Sequence, residues 1–111
     1  MKPTPKQVNT LLQKINAELR IAGIITCLDY IESNDFPSVQ LWSSDESLDG
    51  IDIYINNDGD IVLKPITDGD VYVDTEGNSL DRYIYFYDDE ISELVDYVVT
   101  NKNNFHIRYR N

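Results

Sequence analysis

A catalyst in this chain would show as a nucleophile with a placed base, a carboxylate pair, a metal cage or a phosphate cradle. The one histidine, His106, sits in a polar slot beside Arg108. A catalytic imidazole needs a placed nucleophile or acid, and the sequence nominates none. The one cysteine, Cys27, lies between Ile24-Ile25 and Leu28 with no Lys, Arg or His beside it. Nothing there lowers its pKa toward a reactive thiolate, it has no disulfide partner, and the reading is a buried small hydrophobe. With 20 acidic residues, carboxylate pairs arise by number alone and mark no acid–base couple. An EF-hand loop needs oxygen ligands at positions 1, 3 and 5, glycine at 6 and glutamate at 12. With Gly50 at 6, Asp45, Ser47 and Asp49 fit, but Asn56 falls at 12. With Gly59 or Gly69 at 6, Tyr54 or Lys64 falls at position 1. There is no Cys/His cluster for zinc, and no GxGxxG or GxxxxGK[ST] for phosphate. The expectation is a protein without metal, cofactor or catalytic residues.

What remains is surface. Side chains on one face of a strand recur about every 6.8 Å. Asp52 and Tyr54 share the outer parity of one apolar-alternating stretch, Asp70, Tyr72 and Asp74 of another, and Tyr83, Tyr85 and Tyr87 of a third. Adjacent turns add Asp45, Glu46, Asp49, Asp58, Asp60 and Asp68. If the inward sets pack beneath helices, the opposite sheet face displays tyrosines and aspartates together. These fourteen residues are the candidate partner-binding set. Tyrosine is a rigid amphipathic anchor of binding hot spots. Each exposed ion pair is worth only ~0–1 kcal/mol. The acids would therefore steer association, and desolvated tyrosines would supply the affinity.

The elements that must hold this set can be read from periodicity. Thr4 and Pro5 suit the N-cap and first position of a helix. Val8, Leu11, Leu12, Ile15, Leu19 and Ala22 form its apolar stripe, and Gly23 falls where a C′ glycine belongs. Residues 24–32 and 39–43 read as strands. Ile51, Ile53 and Ile55 alternate with polar residues, Asn56-Asn57-Asp58-Gly59 turns, and residues 60–63 return. Val71 and Val73 start a short strand between the turns at 67–70 and 76–78. Residues 82–87 form another strand, with Ile84 and Phe86 inward. Asp88-Asp89-Glu90 opens a second helix with the stripe Ile91, Leu94, Val95 and Val98, its acids meeting the positive pole of the helix dipole. Phe105, Ile107 and Tyr109 make a last short strand. The order predicts one α+β domain over 1–111: an antiparallel sheet of about five or six strands with an N-terminal and a C-terminal helix on one face.

Charge bounds the partners. The net charge is −11 and the pI about 4.2. Residues 1–25 carry Lys2, Lys6, Lys14 and Arg20 against Glu18, and 101–111 carry Lys102, Arg108 and Arg110 with no acid. The middle holds 19 acids against Lys64 and Arg82. Such a surface does not bind DNA, RNA or an anionic membrane directly. The longest apolar run, 21–25, is too short to span a bilayer, and no signal-peptide stretch opens the chain, so a cytoplasmic protein is expected. Thirteen Ile, ten Asn and eight Tyr against two Ala suit an AT-rich genome, such as that of a low-GC bacterium or its phages.

In size and charge the chain resembles DNA-mimic anti-restriction and anti-CRISPR proteins of phages, and acidic immunity proteins that cap nuclease toxins. The resemblance is one of composition and carries no motif or residue with it. It implies an inhibitor or decoy that docks on a basic site of a nuclease or other nucleic-acid-binding protein. The competing expectations are a structural module that forms a homodimer through its tyrosine face, a weak enzyme or small-ligand binder, and a plain solubilising surface.

Overall fold

The computed structural model describes residues 2–29, 37–42, 50–65, 76 and 83–110. The first helix, α1 (Pro5–Ile21), begins because its free N–H groups find partners. The Gln7 N–H donates to Thr4 Oγ1 at 3.2 Å, and the Thr4 N–H donates to Gln7 Oε1 at 2.8 Å, a reciprocal capping box behind Pro5. It ends because Gly23 adopts φ +90°, a left-handed conformation that costs glycine little. That turn lets the Ile24 N–H reach Leu19 O and the Gly23 N–H reach Arg20 O, both at 3.0 Å. The pair is a Schellman closure, with Leu19 and Ile24 buried against it.

Five strands follow among the described residues: β1 (Thr26–Asp29), β2 (Ser38–Leu41), β3 (Ile51–Ile55), β4 (Ile61–Pro65) and β5 (Ile84–Phe86). They pair antiparallel in chain order, β1-β2-β3-β4-β5. The β3–β4 hairpin is closed by Asn56. Its Oδ1 accepts from the Asp58 and Asp60 N–H groups at 3.0 and 2.9 Å, and its carbonyl accepts from the Gly59 N–H at 3.1 Å. Gly59 takes φ +87° to complete the turn. The second helix, α2 (Ile91–Thr100), follows the acidic turn at 88–90, where the Tyr87 N–H donates to Glu90 Oε1 at 2.8 Å.

One register fixes the inner face: Val39↔Ile53↔Leu63↔Ile84 across β2 to β5. These residues form a single core with Leu12, Ile15 and Leu19 of α1 and Ile91, Leu94 and Val98 of α2, so both helices cover the same side of the sheet. The Thr26 hydroxyl donates to Asn16 Oδ1, tying β1 to α1. Phe86, Tyr97 and Phe105 stack edge to face at 6.0 Å, joining β5 to α2 and to the chain beyond it. The architecture is α+β, as the periodicity predicts.

Two local expectations are corrected. The C-terminal stretch forms a clasp and not a regular strand. Residues 101–106 turn, with the Phe105 N–H on Asn101 O at 2.9 Å and His106 at φ +55°. Residues 107–110 then wedge into the mouth between β1 and β2. The Arg108 N–H donates to Trp42 O at 3.0 Å, Arg108 O accepts from the Ile25 N–H at 3.1 Å, and the Arg110 N–H donates to Gly23 O at 2.7 Å. For that reason β1 starts at Thr26: the Ile25 N–H and the Trp42 carbonyl, which would otherwise extend the β1–β2 ladder, are spent on the clasp. Cys27 is the second correction. It is exposed, because it has the outer parity of β1 between inward Thr26 and Leu28. The expected strand at Val71 and Val73 and the expected loops at 33–35, 44–49 and 67–70 lie outside the described residues. Among the described residues no helix is long and apolar enough to cross a membrane.

Candidate protein-binding face

The alternation that buries Ile51, Ile53, Ile61 and Leu63 turns their neighbours to the opposite side of the sheet. Two rungs of cross-strand pairs build that outer face. One runs Cys27↔Gln40↔Asp52↔Lys64, and the other Tyr54↔Val62↔Tyr85. Tyr83 follows beside Lys64, whose Nζ lies 5.8 Å from the Tyr83 ring centroid. That separation is within the range of a cation–π contact. Tyr83, Tyr85 and Tyr87 are 47%, 59% and 69% exposed. At the far end of the same face Trp42 and Ile25 are also exposed, on either side of Arg108.

Val62 is the exception to the pattern. It has outer parity yet is only 1% exposed, and it lies outside the main core. Its rung neighbours Tyr54 and Tyr85 flank it, so the outer face carries a small apolar floor walled by phenol rings. The Tyr54 phenol is correspondingly hard to ionise. Burial pushes its pKa up from the ordinary value near 10, the neighbouring Tyr83 and Tyr85 hydroxyls add to the rise, and Lys64 partly offsets it.

Of the sequence candidates, Asp52, Tyr54, Tyr83 and Tyr85 come together on this patch. Asp58, Asp60 and Tyr87 do not join it. They line a separate open groove of about 700 Å³ between the β3–β4 hairpin and the N-terminal half of α1, opposite Lys2, Lys6 and Lys14. Asp45, Glu46, Asp49, Asp68, Asp70, Tyr72 and Asp74 lie outside the described residues. Two contributors lie outside the candidate set: Lys64, which alternation places on the outer face but which is neither acid nor tyrosine, and Val62, whose burial alternation does not give. The signal for Val62 was present in Ile61-Val62-Leu63, an unbroken apolar run of the sort that marks a strand covered on both faces.

Chemically the patch offers, among the described residues, aromatic faces, phenol hydroxyls, one ammonium and one carboxylate. Among the described residues no three His, Cys, Asp or Glu side chains converge as a metal cage. The patch is suited to recognition of a cationic, planar or apolar group. Comparisons with protein-family models, with curated proteins and with solved structures give no match to this chain.

Proposed function

We propose that this chain is a non-catalytic binding protein. Its outer sheet face docks on a basic site of a nucleic-acid-handling protein and so acts as an inhibitor or decoy, in the manner of anti-restriction, anti-CRISPR or nuclease-immunity proteins. The observation that supports this most is an exposed tyrosine face on the side of the sheet opposite the helices, in a chain of net charge −11. Exposed aromatics in contiguous array are the usual anchors of protein interfaces, and strong net charge selects partners of opposite sign. Titration into a nuclease or DNA-binding protein encoded at the same locus tests the reading. Inhibition that falls steeply between about 50 and 500 mM salt is expected. Tyr83→Ala and Tyr85→Ala should each weaken it about tenfold or more, as hot-spot truncations do. Salt-insensitive inhibition, or inhibition indifferent to both tyrosines, would overturn it.

A further inference from the structure

Lys64 occupies a position of particular consequence. It is the one basic residue among the described strand residues, and its ammonium already lies over the Tyr83 ring. The protein thereby holds a cation of its own where a partner's cation would be expected. Around it stand the Tyr54 and Tyr85 rings, and between those two lies the dry Val62 floor.

Resting on the binding function proposed above, we infer that the Tyr54–Val62–Tyr85–Tyr83 patch is a guanidinium seat. A partner's arginine stacks on the tyrosines there and displaces Lys64, which holds the place in the free protein. The chemistry favours arginine over lysine. A guanidinium is planar, stacks on aromatic faces and sheds its hydration more readily than an ammonium. An ammonium entering beside Lys64 meets the same repulsion without the stacking gain. The net charge of −11 supplies the long-range attraction, while the seat supplies the choice of side chain.

The test uses two peptides of equal charge, tetra-arginine and tetra-lysine, titrated into the full chain at low salt. Tyrosine ring proton shifts are the readout. Tetra-arginine should bind about fivefold more tightly than tetra-lysine, the size of one modest cation–π contact. Lys64→Met should strengthen tetra-arginine binding about fivefold more, whereas Arg20→Met, an equal change in net charge on the last turn of α1, should change it less than twofold. Tyr83→Leu should remove the preference for arginine. Tyr83 is half exposed, and Lys64→Met alone decides the matter if the leucine variant misfolds. Equal affinity for the two peptides, or equal responses to Lys64→Met and Arg20→Met, would overturn the seat. Inhibition of a nuclease without an arginine preference would reject the seat and leave the decoy function standing. An arginine preference without any inhibition would do the reverse.

Discussion

Two residues on the outer face separate packing from recognition. Val62 is buried where its strand neighbours Tyr54 and Tyr85 wall it in, so Val62→Ala should lower stability by about 2 kcal/mol through lost methyl burial and a residual cavity. Tyr85→Ala, at a more exposed position in the same rung, should cost less, about 1 kcal/mol, the loss of one cross-strand pair. Urea midpoints measure both, and a Val62→Ala cost no larger than that of Tyr85→Ala would mean the floor is wet. Tyr54 gives a pH test. Its raised pKa means the folded protein holds the phenolic proton more tightly than the unfolded chain does. That contribution is complete below the unfolded value near 10 and is lost as pH rises through the folded value. Tyr54→Phe should therefore lose less stability than the parent between pH 9 and pH 11, read as the change in urea midpoint. An identical alkaline slope in both proteins would contradict the assignment. At this scale tyrosine alternation was legible from spacing alone. The burial of Val62 and the contact of Lys64 with Tyr83 were not, because alternation treats the outer face as uniformly solvated and is blind to what packs within it.

At the scale of elements, local signals succeeded where bonds are local. Thr4-Pro5 and Gly23 bound α1 through contacts within a few residues, and Asn56 to Gly59 close a hairpin on themselves. The C-terminal clasp failed the same treatment. Phe105, Ile107 and Tyr109 alternate like a strand, but the long-range backbone bonds of this stretch are made by Arg108 and Arg110, to Gly23, Ile25 and Trp42 far away in sequence. Alternation identifies inward side chains, and Phe105 and Ile107 are indeed buried, but it cannot choose a pairing partner. The two left-handed glycines offer a graded test. At Gly59 an added Cβ meets nothing within 4 Å, so Gly59→Ala should cost only the backbone strain of about 1–2 kcal/mol, and Gly59→Asn less. At Gly23 the Cβ also meets the Arg110 carbonyl oxygen at 3.4 Å, within the clasp itself. Gly23→Ala should thus lower the melting temperature more than Gly59→Ala. The opposite ranking would mean that the clasp yields freely around a side chain.

For the molecule as a whole, charge and fold act on different quantities. A net charge of −11 repels itself in the compact state, so added salt should raise the melting temperature by several degrees while weakening attachment to a basic partner. A fall in both together would remove self-repulsion from the account. The fold contributes position: two helices on one side of the sheet leave the tyrosine rungs facing outward on the other. The most direct measurement is an amide hydrogen-exchange footprint of the protein bound at low salt to a basic nuclease from the same locus. The account predicts new protection in 61–64 and 83–86, on and beside β4 and β5, with α1 and α2 unchanged. Protection confined to the helices, with the tyrosine strands exchanging as in the free protein, would contradict it.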